Sequence, residues 1–212
     1  MTLESIGLWS STAGAFAYAV LALVAWPVWR KQRVDSSLVM APLLTSLQFA
    51  VFGNLYDNPP LSLLLPMQLV CTGAWWLAAL HLLKRFASIK GSRPLKSGLA
   101  AVWLALAGAC ALIFHYGAGS TEQSVEYVAA VMLVLAVISV MTLEQVYRNV
   151  LSAHRRALKL VCLGLFAAFG YELYFAAHAL MFRGLDSEMW HARGAAHALA
   201  AVLIGAGLLR VQ

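Results

Sequence analysis

ALKLVCLGLFAAFGYELYFAAHALMF, Ala157 to Phe182, carries one carboxylate, Glu172, in the middle of a run long enough to cross a bilayer. Roughly 20 apolar residues span the hydrocarbon core as a helix, so the stretch reads as a membrane helix. An ionisable group at that depth is expensive, and by default it is paired or belongs to a site. Tyr171, Tyr174 and His178 surround it, and their offsets of 3, 4 and 7 place them in one helical stripe. A polar stripe of that width is expected to face other helices rather than lipid.

The rest of the chain supports a membrane reading. Of its 212 residues, 62% are hydrophobic and 11% charged, and the mean hydropathy is +0.77. That is too apolar for a soluble domain. Helices are expected over about residues 6–29, 37–55, 61–83, 97–116, 125–147, 157–182 and 190–209. The connections are short and polar, with no internal repeat. The fold class is therefore an all-α membrane protein, a seven-transmembrane-helix bundle forming a single polytopic domain over 1–212.

Charge sets the expected orientation. Thirteen of the fifteen Lys and Arg residues fall on one side: Arg30, Lys31 and Arg33 after the first helix, a second group from Lys84 to Lys96, a third from Arg148 to Lys159, and Arg210. Arg183 and Arg193 lie opposite, with most of the acidic residues. By the positive-inside rule the N-terminus is outside and the C-terminus cytoplasmic. The first segment lacks a basic region before it, so it reads as an anchor rather than a cleavable signal. The net charge of +6 is confined to juxtamembrane loops, where its partner is the lipid bilayer and not nucleic acid.

Arg193 and His197 stand at i, i+4 on the seventh helix, which a short loop joins to the sixth. Neighbouring segments joined this way pack together. The candidate sensing or ligand site is then Glu172, Tyr171, Tyr174, His178, Arg193 and His197, a polar chamber in the outer half of the bundle. The competing structural reading makes Glu172 an interhelical tie and nothing more. Gln48, Asn54 and Gln68 are read as structural amides, and Gly194, Ala198, Ala201 and Gly205 as a small-residue packing ridge. Trp9, Trp29, Tyr116, Tyr127 and Trp190 read as interface anchors. Pro27 and Pro66 mark kinks or boundaries.

Several chemistries find no support. No lysine in the seventh helix could form a retinal Schiff base, and His178 with His197 is the only matched-depth pair that haem could use. No catalytic residue set, metal-ligand spacing or cofactor fingerprint occurs, and Cys71, Cys110 and Cys162 all fall inside helices. A small transporter or a ligand-binding membrane protein is the alternative reading, though corresponding broken segments in two halves are missing.

Particular motifs carry a resemblance. LEQVYRN at Leu143 to Asn149, LKLVCLGL at Leu158 to Leu165, F-x-Y-E-L-Y at Phe169 to Tyr174, A-L-M-F-R-x-L-D at Ala179 to Asp186 and W-x-A-R-G at Trp190 to Gly194 are dense over the last third. GLWS at Gly7 to Ser10 and GAWWLAALHLLKR at Gly73 to Arg85 add to them. Together they resemble the membrane-embedded sensor region of the PrsK-type histidine kinases of exosortase/PEP-CTERM systems. The family usually has Asp where Glu172 stands and an acidic residue where His178 stands. The resemblance implies a multi-pass protein of the bacterial inner membrane and a sensory input module for exopolysaccharide and PEP-CTERM protein production. Its implied partners are cytoplasmic kinase domains, a response regulator and a second copy in a homodimer. In the family the full-length proteins are ATP-dependent protein-histidine kinases, whose GAF, phosphoacceptor and ATP-binding domains have no counterpart in these residues.

Overall fold

A computed structural model of the chain describes residues 3–32, 36–52, 61–86, 97–98, 100–109, 121–150 and 152–211. They form seven helices: α1 Leu3–Gln32, α2 Ser37–Phe52, α3 Leu61–Phe86, α4 Ala100–Ala109, α5 Thr121–Asn149, α6 Ser152–Phe182 and α7 Ser187–Val211. Five of them, α1, α3, α5, α6 and α7, are long and apolar enough to cross a membrane, while α2 and α4 are shorter. The number and order of helices match the sequence expectation, and most begin or end a few residues beyond it. The expected ends of α2 (53–55) and α4 (110–116) lie outside the described residues, as do Cys110, Tyr116 and Asn54.

Packing closes a ring. α1 packs on α2 and α7, α6 on α5 and α7, and α3 on α2 and α5, so these six helices close the ring, and α4 adds Val102, Trp103 and Leu106 against the apolar core around Leu64 and Phe175. The interior splits into two apolar cores. One surrounds Tyr18, Phe49, Trp75 and Leu165; the other surrounds Leu64, Leu135, Phe175 and Trp190. The outer surface is apolar as well, with Phe16, Leu23, Met181 and Leu199 largely exposed, a pattern that suits a lipid environment.

Proline falls inside three helices, Pro27 in α1, Pro42 in α2 and Pro66 in α3. A proline removes one backbone donor and frees a carbonyl, so the two prolines noted in the sequence are interior residues of their helices and not boundaries. Polar side chains tie neighbours instead. Trp75 donates to Thr45 at 3.0 Å, Trp76 to Ser139 at 2.8 Å, and Ser46 to the Ala15 carbonyl at 2.7 Å.

The α6–α7 turn fixes the geometry of the site. Arg183 adopts a left-handed conformation with φ 53°, and the Gly184 amide reaches back to the Ala179 carbonyl at 3.2 Å, which is a Schellman stop. Asp186 then caps α7, its Oδ1 accepting from the amides of Glu188 at 2.8 Å and Met189 at 3.2 Å. Stop and cap come within four residues, so the two helices are held antiparallel with a defined rotation. Close approach follows from small residues. A Cβ on Gly207 would strike the α6 backbone at Val161, and one on Gly194 would strike the Ser10 carbonyl of α1.

Candidate functional site

Glu172 and His197 are brought level by that turn. Glu172 lies ten residues before Phe182 and His197 ten residues after Ser187, each about 15 Å of helix from the turn. Arg193, one turn nearer the loop, reaches the same carboxylate. Arg193 Nε donates to Glu172 Oε1 at 2.7 Å, and His197 Nε2 approaches the same oxygen at 2.7 Å. The arginine and glutamate side chains are 3% and 4% exposed. This is an ion pair removed from solvent, and such a pair persists only when its other polar groups are also satisfied.

Three further helices supply partners to the rest of the cluster. Gln68 of α3 accepts through Oε1 from Arg193 Nη2 at 2.7 Å and from Gln48 Nε2 of α2 at 2.5 Å. Tyr18 of α1 lies 3.1 Å from His197 Nδ1. Because Nε2 faces a carboxylate, the ring proton belongs on Nε2, and the tyrosine hydroxyl donates to Nδ1. Rings shield the charge: the Arg193 guanidinium carbon is 5.5 Å from the Phe49 centroid and 5.2 Å from that of Trp190. Both distances are in the cation–π range. Phe49 in turn stacks on Tyr18, with centroids 6.2 Å apart and planes 7° from parallel.

Glu172 Oε1 therefore takes two donors, whereas Oε2 has no hydrogen-bond partner among the described residues. A cavity of about 20 Å3 adjoins the cluster, lined by Glu172, Arg193, His197, Gln48, Thr45 and Thr72 among others. It has room for one water and polar groups to hold it.

The six residues expected from sequence separate into three groups. Glu172, Arg193 and His197 form the cluster. Tyr171 stands at its edge and donates to the Met189 carbonyl at 2.6 Å, tying α6 to the first turn of α7. Tyr174 and His178 lie elsewhere. Tyr174 is 61% exposed, and its ring, His178 and Phe182 form a ladder with centroid spacings of 6.3 and 4.4 Å. The stripe expected to face the bundle thus runs along the outside of α6. The inward face is instead the one carrying Glu172, with Leu165, Ala168, Phe175, Ala176 and Ala179 buried beside it.

Trp190 is a second correction. It is buried under Arg193 and against Phe52 and Phe175, rather than placed as an interface anchor. Gln48 and Gln68, read as structural amides, belong to the cluster, and Tyr18 was not singled out at all. His191, next to Trp190, is buried with neither ring nitrogen bonded among the described residues, and its ring fills the space left by Gly7 of α1.

Fold and site together define an α-helical bundle with one ion-paired polar centre shared by five helices. The chain matches no protein-family model, and no curated protein or solved structure is significantly similar to it.

Proposed function

We propose that this chain is a membrane-embedded sensory input module of the two-component histidine kinase type, with the Glu172–Arg193–His197 cluster as its two-state element. It sits with the N-terminus outside and the C-terminus in the cytoplasm, as the distribution of Lys and Arg supports. The observation that carries the reading is a charge pair buried where α1, α2, α3, α6 and α7 meet, with one carboxylate oxygen left unbonded among the described residues. A signal that supplies a proton or a hydrogen-bond donor to Oε2 competes with Arg193 and His197 for the same carboxylate. α7 then loosens from α6 and passes its displacement to its C-terminal end.

The magnitudes are compatible with switching. Reversing a two-state equilibrium from 1:99 to 99:1 takes about 5.5 kcal/mol of differential binding, and unpairing a buried ion pair is worth about 3–5 kcal/mol. One cluster is thus nearly sufficient. The link to kinase domains, and to exopolysaccharide and PEP-CTERM protein production, rests on the sequence resemblance over Leu143 to Gly194.

The test is signalling. Glu172→Gln, placed in the full-length open reading frame that contains this chain, should fix the output of a response-regulator reporter at one level whatever the stimulus. Normal, stimulus-dependent output from a stably folded variant would defeat the proposal. The transporter alternative has less support, because the polar cavity beside Glu172 accommodates a water but no organic solute. It requires solute flux in liposomes, which a sensor does not produce.

A further inference from the structure

A cleft of about 1030 Å3 separates α4 from α2 and α3, at the upper end of the roughly 300–1,000 Å3 usual for ligand pockets. Its walls are almost wholly apolar, with Met40, Leu77 and Leu104 among the lining residues and all three substantially exposed. One end is different. There Ser36, Ser37 and His81 line the cleft, and Ser37 Oγ lies 3.1 Å from His81 Nδ1.

α4 packs Val102, Trp103 and Leu106 against the core, and Trp103 bonds it to α3. The indole donates Nε1–H to the Leu69 carbonyl at 3.0 Å and lies over Gly73, where a Cβ would come 2.8 Å from Nε1. The cleft is therefore set by a defined contact.

Charge marks the polar end. Arg30 and Lys31 fall in the last turn of α1, and Lys84 and Arg85 in the last turn of α3, a few residues beyond His81. Arg33, Lys90, Arg93 and Lys96 belong to the connections that join these same ends to α2 and α4. Along the sequence, eight basic residues thus fall at or just beyond the ends of α1 and α3, with Asp35 as the one acid among them. A basic cluster at the end of membrane helices attracts an anionic headgroup, and apolar walls attract an acyl chain.

We infer that the α2–α3–α4 cleft binds an anionic phospholipid, its acyl chain along Leu77 and Leu104 and its phosphate at the Ser37–His81 end. This rests on the membrane reading of the chain but not on its sensor role. A lipid wedged there would brace the face of α4 that carries Ala100 and Leu104.

Native mass spectrometry of protein released from nanodiscs tests it, with phosphatidylglycerol and phosphatidylcholine in equal amounts. The expected result is one retained phosphatidylglycerol per chain. Leu77→Trp, which fills the cleft, should lower retention at least tenfold, and Lys84→Gln/Arg85→Gln should lower it roughly thirtyfold at about fivefold per basic residue. Circular dichroism and thermal melting of each variant confirm that it is folded; should Leu77→Trp misfold, the charge variant carries the test. Equal retention of the two lipids, or retention unaffected in both folded variants, overturns the inference. So does a dimer whose crosslinks run through Met40 and Leu77, which would make the cleft a self-association surface. Failure to enter nanodiscs at all would overturn the membrane reading along with it.

Discussion

Replacing Glu172 by glutamine keeps the shape of the side chain and removes its charge, which isolates the electrostatic part of the cluster. Arg193 would remain 3% exposed with no counterion. Its contacts to Gln68 and to the faces of Phe49 and Trp190 cannot replace a carboxylate. Losing one partner of a buried ion pair costs about 3–5 kcal/mol, whereas a neutral interhelical hydrogen bond in a bilayer averages about 0.6 kcal/mol. Charge, not hydrogen bonding, therefore decides the outcome. Arg193→Met should destabilise to a similar degree, because the carboxylate keeps only His197. The double variant removes both charges and should be much less than additive, with a coupling of about 2–3 kcal/mol. Reversible unfolding of the four proteins in bicelles measures the cycle. Two single variants each within about 1 kcal/mol of wild type, adding simply in the double, would refute a solvent-excluded pair.

Tyr18→Phe removes one neutral hydrogen bond to His197 and leaves the stacking on Phe49, so it should lower stability by only about 0.6 kcal/mol in the same assay. Gly194→Leu sets a side chain against the Ser10 carbonyl and should cost about 1–3 kcal/mol by overpacking, read as a lower thermal midpoint. Asp186→Ala removes the α7 cap and should cost about 1 kcal/mol. Arg183→Gly should raise the midpoint, because the left-handed backbone at φ 53° costs a non-glycine residue roughly 1–2 kcal/mol, while the exposed pair with Glu126 contributes less than about 1 kcal/mol.

How far these features could be read in the sequence depended on the length scale of each signal. Apolar runs of bilayer length place helices without tertiary information, and the short polar interval between the last two runs marks the α6–α7 turn. The sequence grouped Arg193 and His197 with α6 but set His197 level with His178; the structure sets it level with Glu172, 2.7 Å from Oε1. Rotation was harder to read. α6 is apolar on every side, so hydrophobic periodicity could not say whether Glu172 or the Tyr174–His178 stripe turned inward, and the buried charge decided it. Trp190 was misplaced for a related reason: tryptophan suits an interface and a cation equally well, and Arg193 three residues later settled its position. Tyr18, Gln48 and Gln68 come from three helices distant in sequence, and only the closed ring brings them together. Which face of α4 packs on the core leaves no sequence pattern, because a helix facing lipid and one facing a neighbour use the same apolar residues.

The central claim is that the Glu172 cluster holds α6 and α7 in one of two arrangements. Spin labels at Leu163 of α6 and Leu209 of α7, both exposed positions, in a background lacking the native cysteines, would report their separation in lipid nanodiscs by pulsed electron resonance. With Glu172 intact, one narrow distance distribution is expected. With Glu172→Gln, a second, shifted population should appear or replace the first. Identical distributions in two folded proteins would contradict the claim and leave the buried pair as a structural tie alone.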